Sequence, residues 1–236
     1  MLEPPVMRTT AQRRKLNMTK NKQITTRTMV LTAVMTAVVV VLQLLGSFIR
    51  FGPFSISLVL VPIVIGAAVC GSWSGAWLGL AFGVVVLLSG DAAPFYAINP
   101  FGTVVTVIVK GVLAGFTAGI VYRLLHRAFS YIDSHRKEAK RNWVNKLVSG
   151  ICKYLPVICA AVICPIINTG VFLVGCRLFF YDAIAEWGAA LGYEHTVAYM
   201  FLGLAGGNFL FELLTNVLLS PVIVKLLSLN KKIFKF

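Results

Sequence analysis

The sequence predicts an all-α integral membrane protein of six transmembrane helices with both termini cytoplasmic. Three observations predict it. Of the 236 residues, 58% are hydrophobic and only 13% are charged, with a mean hydropathy of +0.85; a soluble domain carries about 25% charged residues. The apolar residues fall into six long runs, and no polar segment between them is long enough to bury a core of its own. The cations are grouped. Seven Lys/Arg with one acid precede residue 28, eight with two acids lie between Arg123 and Lys153, and four with none follow from Lys225. The other loops are neutral or acidic. Basic blocks alternating with such loops follow the positive-inside rule, and this places four spans before the central basic loop and two after it. The net charge of +14 therefore reports topology rather than a nucleic-acid surface.

Residues 1–27 read as a disordered basic cytoplasmic tail, with no small-residue cleavage site before the apolar run to suggest a secretory signal. A single membrane domain follows over 28–228. Its first span, about 28–48, holds Ala33 and Ala37, whose four-residue spacing puts both on one helix face where another helix can approach closely. Arg50 is the only charge of the short outer loop that follows. The second span, about 54–70, is expected to kink at Pro62. Its start, FSISLVLVP, alternates polar and apolar residues, which suggests an extended segment lining protein or water. The third span, about 73–89, carries Gly75, Gly79 and Gly83 after Gly71. This four-residue period marks a packing stripe; no Lys-Ser/Thr follows to make it a phosphate loop. The outer loop Gly90 to Asn99 contains Asp91, Phe95, Tyr96 and Asn99, and its aromatics read either as interface anchors or as a lid.

The fourth span, about 100–124, carries Lys110, about 13 Å from its outer end at 1.5 Å per residue. A cation at that depth costs ~2.5–3.5 kcal/mol on insertion scales, so it should face a partner, a cavity or a substrate. Thr103, Thr106 and Thr117 share its face at 100° per residue, and Gly111, Gly115 and Gly119 form a neighbouring stripe. The loop 125–150 is basic and cytoplasmic. The fifth span, about 152–180, is expected to be interrupted at Pro165 and at Asn168-Thr169. The sixth, about 197–227, places Asn208, Glu212 and Thr215 on one face, with Glu212 about as deep as Lys110; a neutralising Lys110–Glu212 pair is one economical arrangement. Residues 229–236 read as a basic tail.

Lys110, Asn168, Thr169, Asn208 and Glu212 thus come from three spans beneath aromatic outer loops. They suggest a site for a small polar ligand taken from outside, with Arg50 at its mouth to attract an anion. A desolvated amide or carboxylate on the ligand needs donors, which Lys110 and the asparagines supply. An intramembrane enzyme is disfavoured: GSWSG misses the GxSG spacing of a rhomboid-like protease, HExxH is absent, and no histidine lies within a span. Five cysteines without CxxC spacing indicate neither disulfides nor a metal site, and no cofactor is called for. The alternative is an autonomous proton-coupled secondary transporter using Glu212, although six short spans without an inverted repeat are few for that class.

The run ISLVLVPIVIGAAVCGSWSGAWLGLAFGVVVLLSG, the loop DAAPFYAINPFGT and VIVKGVLAGFTAGIVYRLL closely resemble the S components, the substrate-binding subunits, of energy-coupling-factor (ECF) vitamin transporters. PIINTGVFLVG and GNFLFELLTNVLLSPVIVKLL are similar to that family's last two spans, so the resemblance covers about Thr28 to Leu227. It implies a six-helix subunit in a prokaryotic cell membrane that captures a vitamin or precursor with high affinity at the outer face. Its partners would be a transmembrane coupling protein (the T component) and two ATP-binding subunits. In the family an AxxxA face docks the coupling protein, and Ala33 and Ala37 match it. Asn168-Thr169, Asn99-Pro100 and Lys110 are similar to pantothenate-type S components. Flavin, folate, pyridoxine-type and queuosine-precursor ligands stay open, since Phe95, Tyr96 and Trp187 could stack on a ring. The implied ligand contacts are Lys110, Asn168, Asn208, Glu212, Thr106, Asn99, Tyr96 and Arg50.

Overall fold

The structure, a computed structural model, describes residues 10–48, 50–51, 54–55, 58–136 and 143–233, with side chains described for 26–48, 58–131 and 150–226. In chain order the elements are α1 (Thr10–Phe48), β1 (Arg50–Phe51), β2 (Phe54–Ser55), α2 (Leu60–Cys70), α3 (Ser72–Leu88), α4 (Ala93–Ile98), α5 (Pro100–Arg136), α6 (Trp143–Phe179), α7 (Tyr181–Ala190), α8 (Thr196–Ala198), a π-helical segment (Tyr199–Gly206) and α9 (Gly207–Ile233). The protein is an all-α integral membrane protein. Four stretches are long and apolar enough to cross a bilayer, Thr26–Phe48, Pro100–Tyr131, Gly150–Phe179 and Thr196–Leu226, and two shorter apolar helices, α2 and α3, complete the six apolar segments.

Several boundaries differ from expectation, each for a local reason. Helix α1 begins at Thr10, inside the segment expected to be a disordered tail. Residues 6–45 contain no Gly or Pro, and Lys, Arg, Gln and Met are good helix formers. For the same reason α5 and α6 run into the expected loop 125–150, and α9 continues to Ile233. The second apolar segment does start extended: β1 and β2 pair antiparallel, with Arg50 opposite Ser55 and Phe51 opposite Phe54. Pro62 does not kink α2. It sits in the first turn, where its missing N–H would have no helical partner in any case. Pro165 and Asn168-Thr169 do not interrupt α6, which passes through them. The loops expected on the outer side contain the helices α4 and α7, and the last span opens with the short α8 and a π-helical segment.

The glycine stripes pack α3 on α5. A Cβ built at Gly75 would strike the main chain of Gly115, and one at Gly79 the main chain of Gly111. The two backbones meet with no side chain between them, the close approach that small-residue stripes permit in membranes. Gly71 alone turns α2 into α3, at φ +105°, a conformation open to glycine and strained for other residues. The core lies where α2, α3, α5, α6 and α9 meet and includes Ile63, Leu78, Ala114, Ala161 and Ile223. A second, aromatic-rich cluster around Phe180, Ile184 and Tyr199 closes the cation-poor end. Val34, Leu45, Leu178 and Leu214 are exposed on the outside of the bundle, the surface a membrane protein gives to lipid.

Candidate functional site

A cavity of about 140 Å³ opens between the helices toward the cation-poor end. Four of the expected site residues line it: Lys110 from α5, Asn168 from α6, and Asn208 and Glu212 from α9, with Thr169 beside them. Its floor and walls are otherwise largely apolar. Its roof is the segment Asp91 to Phe95, joined by Trp187 from α7.

Lys110 and Glu212 share this cavity and act on each other's charge, but no direct salt bridge joins them among the described residues. The carboxylate of Glu212, which is 1% exposed, is held by two amides. Asn208 Nδ2 donates to Oε1 at 3.1 Å and Asn168 Nδ2 to Oε2 at 3.4 Å. Lys110 Nζ lies 5.6 Å from the centre of the Phe82 ring and 5.3 Å from that of Phe172. Desolvated cation–π contacts reach ~2 kcal/mol each, so two rings offset much of the ~2.5–3.5 kcal/mol that a cation costs at this depth. Among the described residues Lys110 has rings beside it and no hydrogen-bond acceptor, so its ammonium protons remain available. Asn168 Oδ1 is buried and also has no partner among the described residues. The cavity therefore offers donors at Lys110 and acceptors at Asn168 and Glu212.

The other expected contacts fall elsewhere. Asn99 caps α5: its Oδ1 accepts from the Gly102 N–H at 2.9 Å, and Pro100 follows at the first helical position, an arrangement that satisfies a helix start. Tyr96 is 47% exposed and is not among the residues lining the cavity. Thr106 is buried against Gly175, outside the lining. Its helix neighbours Thr103 and Thr117 donate to the carbonyls of Asn99 and Leu113, so their hydroxyls are spent within α5 and its cap, and Lys110 alone of this group lines the cavity. The Arg50 side chain lies outside the described residues. Ala33 and Ala37 are both exposed on α1, so that face of the helix is uncovered.

Sequence reasoning missed Gln43, Asp91, Phe82, Phe172 and Tyr199 as lining residues. Gln43 carried the same signal as Lys110, a polar side chain inside an apolar run, and it is 2% exposed. Tyr199, Leu204 and Ala205 reach the cavity from the π-helical segment. Such segments, with i→i+5 bonding, recur at functional sites, and Gly203, Gly206 and Gly207 weaken the α-helix there.

A helical membrane protein with a largely apolar cavity that converges a few buried polar groups under an aromatic roof is of the small-molecule-binding membrane class. The family model for the ECF transporter substrate-specific component matches residues 27–226. The chain belongs to that family and is a substrate-specific component of an ECF transporter. Comparison with curated proteins and with solved structures gives no match.

Proposed function

We propose that this chain is the high-affinity capture subunit of an ECF-type importer in a prokaryotic plasma membrane. It takes a vitamin or related micronutrient at the outer face and delivers it inward with a transmembrane coupling protein and two ATP-binding subunits, which supply the energy. The carrying observation is the set of unspent polar groups in the cavity: the Lys110 ammonium, which among the described residues has ring contacts and no hydrogen-bond acceptor, lines the same space as Asn168, whose buried Oδ1 also has no partner there. A ligand with an anionic group and N–H or O–H donors satisfies both, and an unsatisfied buried polar group costs ~1–3 kcal/mol. Pantothenate, a carboxylate with an amide and hydroxyls, is the first candidate. Glu212, steadied by Asn168 and Asn208, serves as the acceptor at the far side, and the exposed Ala33–Ala37 face of α1 serves as the dock for the coupling protein.

The test is to purify the protein from cells grown in rich medium and identify the co-purified small molecule by mass spectrometry. A single vitamin-like molecule with an anionic group is expected from the parent and none from Lys110→Ala. The same molecule recovered in equal yield from Lys110→Ala would remove Lys110 from the site. Recovery of the chain active in uptake without any ATPase subunit would favour an autonomous carrier.

A further inference from the structure

We infer that Asp91 is a positioning residue that seats the roof of the cavity against α1. Three donors converge on its single oxygen Oδ2. Gln43 Nε2 donates at 2.8 Å, Ser47 Oγ at 2.6 Å and Ser89 Oγ at 3.1 Å. Gln43 and Ser47 stand four residues apart, on one face of α1, while Ser89 follows the end of α3. One carboxylate oxygen therefore ties α1 to the α3–α4 turn.

That turn leads straight into the roof. Gly90 makes it at φ +82°, the Ala93 N–H closes onto the Gly90 carbonyl at 3.1 Å, and Ala92, Pro94 and Phe95 then cover the cavity. The far end of the roof is held differently. Phe95 wedges edge-on among Phe172, Phe180 and Trp187, with centroid separations of 5.6, 5.1 and 5.6 Å. The roof is thus pinned by a charge-assisted polar node at its start and by aromatic packing at its end. The two pins differ in consequence. Hydrogen bonds to a carboxylate are about twice as strong as neutral ones but depend on geometry; the aromatic contacts tolerate small shifts. Removing the carboxylate leaves the Gln43 amide, 2% exposed, without this acceptor and loosens the roof from α1, while the aromatic pin at Phe95 is untouched. Asp91, itself at the edge of the cavity, therefore governs access to it through the seating of the roof.

This inference rests on the reading of the cavity as the ligand site, but its test uses no ligand. Ala205, which lines the cavity and is 6% exposed, is replaced by cysteine in the full-length, detergent-purified protein. The rate of its modification by the cationic reagent methanethiosulfonate ethyltrimethylammonium is measured above that of the parent with its native cysteines. Asp91→Ala is expected to speed this modification at least tenfold and Ser47→Ala at least threefold, while native Cys164, 0% exposed in the core, stays unreactive. Unchanged rates at position 205 overturn the inference. So does Cys164 reacting in step with position 205, which is general loosening. If Asp91→Ala does not yield monodisperse protein, Ser47→Ala decides by the same criteria. Failure to co-purify a small molecule would count against the ligand-site reading and leave the labelling result as it stands.

Discussion

Replacing Gly79 by alanine tests the backbone seam between α3 and α5. The new methyl would overlap the Gly111 carbonyl and lie 3.0 Å from the Val112 nitrogen. An ordinary contact needs ~3.5 Å, so the helices would have to part by roughly 1–1.5 Å. The colliding atoms are main chain and cannot rotate away, which places the cost at the upper end of the overpacking range, ~3 kcal/mol. Alanine returns ~0.5–1 kcal/mol relative to glycine inside a helix. The net loss is about 2 kcal/mol, or about 4–8 °C in melting temperature at 2–4 °C per kcal/mol for a chain of this size. Gly170 is the matched control: it lies in α6 with nothing within 4 Å of a built Cβ, so Gly170→Ala should gain the helix term alone and melt about 1–4 °C higher. The assay is thermal unfolding in detergent, read as loss of the monodisperse peak on size-exclusion chromatography. A Gly79→Ala protein as stable as the parent, or an equal fall in Gly170→Ala, would refute the seam.

Three further outcomes are expected. Lys110→Ala should weaken binding of the co-purified ligand at least tenfold, ~1.4 kcal/mol, by isothermal titration; retained affinity with lost stability would make Lys110 structural only. Ala33→Leu with Ala37→Leu should abolish uptake in cells while leaving ligand affinity intact, and equal loss of both would sink the docking role of α1. Asn216→Leu should raise the melting temperature, because Asn216 is fully buried and neither of its side-chain polar atoms has a partner among the described residues; relief of such a group is worth ~1–3 kcal/mol. A fall instead would show that a bound water or a partner subunit satisfies the amide.

How far the residues themselves led to this site depended on the range of the interaction. Helical phase within one segment was legible, so Asn208 and Glu212, four residues apart, were grouped correctly, and the glycine stripes of the third and fourth spans marked where two backbones touch. Partners from different helices were not. Lys110 was matched to Glu212 by depth and opposite charge, and the two do act on each other's charge, but the direct contacts are others: Asn168 and Asn208 on the carboxylate, and the Phe82 and Phe172 rings by the cation. Spacing gives depth along a helix but not the rotation of one helix against another. Asn99 was drawn into the site by the likeness of Asn99-Pro100 to pantothenate-type S components, and Tyr96 as an aromatic able to stack on a ligand ring. Asn99 instead serves the backbone, as the cap of α5, a demand that Asn-Pro at a helix start already signals. Asp91 was visible only as a loop acid, because two of its three donors, Gln43 and Ser47, come from the distant α1.

Gly111, the residue in closest approach to α3, directly follows Lys110. With the α5 backbone held against α3 at that residue, α5 has little freedom to roll about its own axis there, and the preceding side chain leaves the helix in one fixed direction. The charge in the cavity is thus aimed by the bare backbone beside it. A different side chain at position 110 would inherit the same bearing, so the chemistry presented to the ligand can change there without the helices repacking.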